Sequence, residues 1–233
     1  MRGVDRSRIF PLQLMVDIAL VIVFLLNIQR FILFSGIKNR TSFFDYNFLR
    51  MSTTTEQYEQ VVMQCRNTFL KKAADYGTSW RVYRIISIVD QIYIKAKRVR
   101  TIQEKKHQKI EDGIQSEFEG ILNYAIIGLI QMEIQNDEID QFPVDEVKIL
   151  YDEKVLMAKA LMNNKNHDYG EAWREMSQES FVDLILAKLL RIKQILANNG
   201  QTLISEGIDA NFYDILNYAA FGLILISEGK HTK

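Results

Sequence analysis

The strongest constraint on the fold of this 233-residue chain is that most of its sequence occurs twice. Residues 72–98 match residues 165–191 at 12 of 27 positions, and residues 113–130 match residues 207–224 at 11 of 18 positions. Average composition gives only about one chance identity in fifteen pairs. The chain is therefore a tandem duplication, and both copies are expected to share one fold.

Each copy is predicted to form three helices, because apolar residues recur at a spacing of three to four. The predicted ranges are 58–71, 87–98 and 116–134 in the first copy and 147–163, 180–191 and 209–227 in the second. A repeated Asp-Tyr-Gly turn is predicted to end the first helix of each copy with its glycine at positive φ. Ser87 and Ser180 are predicted N-caps of the second helices, and Ser116 with Glu119 fits a capping box.

The predicted fold is all-α, because strand alternation is missing and only 2 prolines and 11 glycines occur. Either copy alone is short for an independent core. We therefore expect a six-helix bundle in which two three-helix repeats pack about a pseudo-two-fold axis as an internal dimer. The predicted divisions are a leader over 1–50, a first repeat over 51–140 and a second repeat over 141–233.

The leader differs from the remainder of the chain. Residues 18–26 are all apolar, but Asp17 and Arg30 bracket only 12 positions, where a membrane span needs about 20 residues. Three interpretations stay open: a gene-model extension ahead of Met51, a membrane anchor through 12–34, and a cleaved signal peptide. We expect a cytoplasmic protein, with membrane anchorage through 12–34 as the alternative.

Composition excludes several classes of site. The chain has 29 basic and 29 acidic residues, which argues against a dedicated, sequence-specific nucleic-acid binder. A single cysteine, Cys65, excludes an intramolecular disulfide and a cysteine-rich zinc site. The histidines His107, His167 and His231 fall in loops or the tail and are not duplicated, so a histidine metal site has no support.

Repeated polar residues are the candidates for binding. They are Lys72 and Lys165, Asp75 and Asp168, Trp80 and Trp173, Lys95 and Lys188, Arg98 and Arg191, and Asn123 and Asn217. The cations suit a phosphate, the tryptophans with Tyr169 offer a stacking surface for a base, and the asparagines could bind a base edge. Structural roles are the alternative: a solvated face or an ion pair between repeats, a packing role for the tryptophans, and hydrogen bonds within the bundle.

Magnesium is a predicted cofactor, held by Asp183 and Asp214. Asp214 has no counterpart in the first copy, where Gly120 stands, although Glu117 and Glu119 lie nearby. We therefore expect one effective pocket, built mainly by the second copy.

The motif Lys165-x-x-Asp-Tyr-Gly-x-x-Trp173, followed by Lys188 with Arg191 and by an Asp214-x-x-Asn-Tyr-Ala helix, resembles the nucleotide modification associated domain 1 family. The resemblance implies an α-helical domain linked to modified nucleotides and leaves catalysis open. The acidic helices are also distantly similar to all-α nucleotide pyrophosphatases, which hydrolyse a phosphoanhydride with magnesium.

These likenesses favour a protein that binds or processes a nucleotide or modified nucleotide. Whether it turns a substrate over stays open, and magnesium-dependent hydrolysis of a phosphoanhydride is the candidate reaction. The alternative function is a non-catalytic helical adaptor. Assembly into a homodimer stays open.

Overall fold

The structure is a computed structural model that describes residues 53–106, 112–134, 141–202, 204 and 206–231. The predictions for the leader, and the predicted boundary between the repeats at residue 140, lie outside the described residues.

The described residues form six α-helices, three in each repeat. They are α1 (Thr54–Tyr76), α2 (Ile85–Lys105), α3 (Ile114–Glu133), α4 (Val144–Tyr169), α5 (Gln178–Ala197) and α6 (Ile208–Ser227). Short 3-10 helices at Ser79–Val82 and Ala172–Glu175 follow the first helix of each repeat, and the described part of the chain contains no strand. The predicted all-α fold of two tandem three-helix repeats is confirmed.

Both first helices end at the Asp-Tyr-Gly turn, at Tyr76 and Tyr169, which is five and six residues beyond the predicted ends at 71 and 163. Gly77 and Gly170 follow them with φ of 68° and 61°, the left-handed region that glycine tolerates without a Cβ clash. Each glycine N–H donates to a carbonyl of the last helical turn, Ala73 in the first repeat and Asn166 in the second. The Asp-Tyr-Gly turn is thus a helix stop, as predicted.

The predicted helix starts were less accurate, because the serine N-cap of α5 lies one turn before the expected one. Ser177 accepts the N–H of Ser180 at 3.2 Å, so Ser180 lies inside the helix. In the first repeat α2 begins after Arg84, which provides no side-chain cap, and Ser87 is likewise internal. The predicted N-caps Ser87 and Ser180 are therefore wrong.

The predicted capping box of α3 is also wrong. The helix starts directly after Gly113, and the Ser116 hydroxyl donates back to the Gly113 carbonyl at 2.8 Å. A true capping box opens α1 instead, where Thr53 and Glu56 bind each other's backbone N–H groups. It places the start of α1 four residues before the predicted Tyr58.

Helices α3 and α6 pack closely in the centre of the bundle, where most of their own apolar side chains are buried. Phe212 of α6 lies against Gly128 of α3, and Phe118 of α3 lies against Gly222 of α6. These two contacts are the same contact seen from either repeat, since each residue is matched by its partner 94 positions on. The reciprocity is the signature of a two-fold interface and confirms the predicted internal dimer.

Charged residues at the boundary between repeats follow the same symmetry. Between α1 and α4, Arg66 binds Asp152 at 2.5 Å, and the equivalent Lys159 binds Glu59. Between α2 and α5, Lys193 binds Asp90 at 2.7 Å, and the equivalent Arg100 binds Asp183. The duplicated aspartates thus join the two repeats to each other.

The start of each first helix is bound to the turn of the other repeat. Arg174 of the second turn donates to Thr54 at 2.5 Å and to Gln57 at 2.7 Å, both in the first turn of α1. In the other direction, the backbone N–H of Phe142, just before α4, donates to the hydroxyl of Thr78 at 2.8 Å. Polar contacts therefore connect the repeats at both ends of the interface.

Helix α6 is long and apolar enough to cross a membrane, with a mean hydropathy of 1.2 over its most apolar window. However, 78% of that window is buried by the other helices. Its apolar character is explained by its central place in the core.

Adding a methyl group at Gly128 should destabilise the protein more than the same change at Gly222. A Cβ at residue 128 would lie 2.7 Å from the Phe212 ring, whereas one at 222 would lie 3.1 Å from the Phe118 ring. Overpacking costs about 1–3 kcal/mol and alanine returns about 1 kcal/mol of helix propensity. We expect Gly128→Ala to lower the free energy of unfolding by about 1–2 kcal/mol and Gly222→Ala to be close to neutral, measured by urea unfolding. Equal effects would contradict the packing described.

Candidate functional site

A cavity of about 430 Å³ opens in the first repeat, between α1, α2, α3 and the turn that joins α1 to α2. Its walls include Lys72 of α1, Lys95 of α2 and Gly120 of α3. Aromatic side chains form much of the remaining surface: Phe69, Tyr76, Trp80, Tyr83 and Tyr124. The structure thus provides a concave site in the first repeat, whereas the sequence favoured the second.

Two cations pair with one buried carboxylate in the wall of this cavity. Glu117 is 7% exposed; one of its oxygens accepts from Arg98 and the other from Lys95 at 3.3 Å. Arg98 also donates to the Asp112 carbonyl at 2.8 Å. Lys72 makes no hydrogen bond or ion pair with any described residue. The lining of the cavity contains the lysines Lys72 and Lys95 and the acids Asp112, Glu117 and Glu119, so it carries no excess of positive charge.

The same region of the second repeat carries its own counter-ion. Asp214, at the position of Gly120, is 7% exposed; it accepts a hydrogen bond from Lys165 at 2.6 Å and forms an ion pair with Lys188 at 2.5 Å. Burial acts to lower the pKa of the Lys165 ammonium, but the hydrogen bond and charge of Asp214 outweigh it and raise that pKa overall. Both lysines are thus neutralised from within the protein.

The walls of the cavity are more polar than the equivalent surface of the second repeat. Five polar lining residues of the first repeat have apolar counterparts: Thr68 with Leu161, Ser79 with Ala172, Tyr83 with Met176, Gln91 with Leu184, and Ser116 with Ala210. A polar group in a concave site needs a partner, either water or a ligand. The equivalent surfaces of the two repeats therefore differ in polarity.

Asn123 and Asn217, predicted to bind a base edge, hold helices together. The Asn217 amide donates to the Ala158 carbonyl at 3.2 Å, and its oxygen accepts from the Tyr58 hydroxyl at 2.8 Å. Asn123 makes the same two bonds, to the Cys65 carbonyl at 3.1 Å and from Tyr151 at 2.9 Å. In each case the tyrosine comes from the other repeat. Both amides are occupied by structural hydrogen bonds, although Asn123 also borders the cavity.

The tryptophans are buried, each 6% exposed. Trp173 stacks on Phe221 with ring centroids 4.2 Å apart, and the Arg174 guanidinium lies 4.4 Å from its ring centroid. This arrangement leaves Trp173 no free face for a base and supports the packing interpretation. Trp80 packs in the core and contributes to the cavity wall.

Other predicted binding residues lie at the surface. The structure exposes Asp75, Asp168, Tyr169 and Arg191, and Asp168 lies 3.1 Å from His167 Nδ1. None of them borders the cavity of the first repeat. Of the predicted set, the residues that line this cavity are Lys72, Trp80, Lys95 and Asn123. Arg98 shares Glu117 with Lys95, and in the second repeat Lys165 and Lys188 share Asp214.

The two predicted magnesium ligands are in separate ion pairs. The Asp183 side chain is 61% exposed and binds Arg100, whereas Asp214 is buried between two lysines. Within the described ranges, no group of three or more acidic, histidine or cysteine side chains could hold a metal ion. These residues do not fit a shared magnesium site, and magnesium stays a prediction.

The sequence did not select Glu117, the buried acid in the cavity wall, as a binding residue. Glu117 aligns with Asn211, and Gln91 aligns with Leu184, so a search for residues common to both repeats passes over them. The available signal was the opposite one: positions where two copies of one fold differ in polarity.

Family comparison fits this architecture. The model of the nucleotide modification associated domain 1 family matches residues 72–132 and again residues 165–226, together more than half of the chain. The chain belongs to this family. Its two domain copies correspond to the two helical repeats. No curated protein and no solved structure matches the chain. The likeness to all-α nucleotide pyrophosphatases therefore stays a prediction.

Removing the hydroxyl of Tyr58 or of Tyr151, which each donate across the interface between the repeats, should lower the free energy of unfolding. Tyr58→Phe leaves the buried Asn217 oxygen without its donor, and Tyr151→Phe does the same to Asn123. An unsatisfied buried acceptor costs about 1–3 kcal/mol. Urea unfolding should show a loss of that size for both variants, and little change for Tyr93→Phe, whose side chain is partly exposed. Losses no larger than that control would contradict the structural role of the asparagines.

The ion pair between Lys165 and Asp214 should make the free energy of unfolding decrease as the pH rises in the alkaline range. Because the pKa of Lys165 is raised in the folded state, its contribution is complete below its unfolded pKa, about 10.4. That contribution is lost as the pH rises through the folded pKa. We expect the difference in unfolding free energy between the native protein and Lys165→Met to shrink as the pH rises from 9 to about 11.5. A constant difference would show that the charge of Lys165 does not contribute.

Proposed function

We propose that the first repeat of this protein binds a nucleotide in its cavity and that the second repeat supports the fold without binding one. The observation that carries the proposal is the difference between equivalent surfaces. The first repeat has a cavity with polar walls and a lysine, Lys72, that has no partner among the described residues, whereas the second has apolar side chains and two neutralised lysines. A duplicated domain that differs in this way favours one binding site per chain.

The size and chemistry of the cavity suit a nucleotide. Its volume of about 430 Å³ falls within the range of about 300–1,000 Å³ that small-molecule sites occupy. Tyr83 and Tyr124 offer aromatic surface for a base, and the amide of Gln91 has the donor and acceptor that a base edge requires. Lys72 and Lys95 can pair with a phosphate. The carboxylates of Asp112, Glu117 and Glu119 in the same lining oppose an anion, so the base and sugar contacts carry most of the proposal.

Membership of a family named for nucleotide modification supports the choice of ligand class. Hydrolysis would need an activated water in addition, and the acids predicted for this purpose are already paired. Asp183 is bound to Arg100 and Asp214 to two lysines. Recognition of a nucleotide is therefore the function that the geometry supports best, ahead of turnover.

Isothermal titration of the full chain with common and modified nucleotides tests the proposal, and product analysis of the same mixtures, with and without magnesium, tests turnover. Gln91→Leu places the second-repeat residue in the first repeat and should fold normally. Loss of one or two hydrogen bonds at about 0.5–1.5 kcal/mol each predicts an affinity about tenfold weaker. The matched control is Gln60→Leu, the same change at an exposed position of α1 outside the cavity.

Binding should fall in Gln91→Leu and stay unchanged in Gln60→Leu, with equal melting temperatures. If no nucleotide binds the native protein at millimolar concentration, the proposal is wrong and the adaptor alternative is favoured. Equal affinity in the native protein and Gln91→Leu would place the ligand elsewhere.

A further inference from the structure

We infer that the cavity of the first repeat recognises the nucleoside part of its ligand, and that the phosphates of a nucleotide add little to the affinity. The inference rests on the proposed function for the class of ligand. It narrows recognition to the base and the sugar, and it assigns that recognition to uncharged side chains that the second repeat lacks.

The polar lining residues that have apolar counterparts in the second repeat are all uncharged. They are Thr68, Ser79, Tyr83, Gln91 and Ser116. Hydroxyls and amides form hydrogen bonds without a counter-ion, as the edge of a base and the hydroxyls of a sugar do. The difference between the repeats therefore consists of groups that suit an uncharged ligand.

The charged positions do not differ in the direction that an anion would require. Lys72 and Lys95 have lysines as their counterparts, so the first cavity has no cation that the second repeat lacks. Its carboxylates, in contrast, outnumber those at the equivalent positions of the second repeat: Asp112, Glu117 and Glu119 against Glu206 and Asp214. The first repeat thus gains hydrogen-bonding capacity and negative charge, and no positive charge.

Lys95 already has a counter-ion in the cavity wall. Its Nζ lies 3.3 Å from Glu117, and its side chain packs along Gly120, where an added Cβ would lie 2.7 Å from Lys95 Cε. Lys72, in contrast, has no partner among the described residues. Neither Asp112 nor Glu119 forms an ion pair with a described residue, and both line the same cavity as Lys72. Even when Arg98 is counted, three cations face three carboxylates, so the region offers a phosphate no net attraction.

The inner surface of the cavity is apolar. Three of its lining residues are each 6% exposed: Phe69, Trp80 and Ile127. Lys72 and Asp112, in contrast, are exposed. A base that binds against the buried residues would therefore leave its phosphates toward the solvent.

Uncharged groups around this surface have unused hydrogen-bonding capacity. Tyr83, Gln91 and Tyr124 are half-buried, and neither the two hydroxyls nor the amide forms a hydrogen bond with a described residue. Burial raises the pKa of Tyr124, and the nearby Tyr83 and Tyr76 raise it further, so the Tyr124 hydroxyl stays protonated at neutral pH. These groups can donate to and accept from a nucleoside.

The first test compares each common nucleoside with its 5′-monophosphate and 5′-triphosphate by isothermal titration of the full chain. A single charge-assisted hydrogen bond to a phosphate would add about tenfold or more to the affinity. We therefore expect no nucleotide to bind as much as tenfold more tightly than its nucleoside. A nucleotide that exceeds its nucleoside by tenfold or more would overturn the inference.

Salt provides an independent readout, because it screens ion pairs and leaves hydrogen bonds between uncharged groups almost unchanged. The titrations are repeated while the NaCl concentration is raised from about 0.05 M to about 0.5 M. The ratio of triphosphate affinity to nucleoside affinity should not fall. A ratio that falls with salt would show that cations of the protein hold the phosphates, against the inference.

The variant Tyr83→Phe removes one uncharged hydroxyl from the cavity. Loss of a hydrogen bond should weaken the binding of a nucleoside and of its triphosphate by the same factor, about two- to tenfold. The matched control is Tyr93→Phe, the same change outside the cavity. Melting temperatures show that both variants fold. If Tyr83→Phe binds nucleosides as tightly as Tyr93→Phe does, recognition through this hydroxyl is wrong, and Gln91→Leu then decides whether any uncharged side chain contributes.

These outcomes separate the two proposals. A native protein that binds neither nucleosides nor nucleotides contradicts the proposed function, and the inference with it. Nucleotides that bind mainly through their phosphates contradict only the inference. Nucleosides that bind where nucleotides do not support the inference and replace the nucleotide as the proposed ligand.

Discussion

The reciprocal contact between α3 and α6 is the interaction on which the rest of this structure depends. Phe118 and Phe212 each fill the space left by a glycine on the opposite helix, which lets the two most apolar helices approach closely. Neither repeat could bury its third helix without the other, because three helices provide too little core. The pseudo-two-fold axis passes through this contact, and every other pairing between repeats follows from it.

That symmetry makes each repeat an internal reference for the other. Where the copies agree in the structure, as in the bonds of Asn123 and Asn217 or the ion pairs of Asp90 and Asp183, the shared residue connects helices or joins the repeats. The copies differ in sequence at Gly120 and Asp214, and the structure differs there too. Gly120 borders a cavity, whereas Asp214 forms ion pairs with two lysines. Divergence between the copies is therefore the better guide to binding.

The helices could be predicted because their positions depend mainly on residues close to one another in the sequence. Apolar periodicity marked six helices, and the Asp-Tyr-Gly turns marked where two of them end. Helix starts were less predictable, because more than one serine near a helix start can serve as the N-cap and the sequence does not show which one has the extended backbone of that position. Ser177 is the N-cap of α5, and Ser180 lies inside the helix. The site was predicted least well: identity between copies selects residues needed for docking, whereas Glu117 and Gln91 occur only in the first repeat.

By itself the sequence determined the duplication, the helical class and the need for one repeat to bury the other, because these follow from identity, periodicity and core size. Only the tertiary structure decided which charges meet. Lysines at equivalent positions of the two repeats bind Asp214 in one copy and border an open cavity in the other. Such pairings join residues on different helices, and distance along the chain carries no information about distance in space.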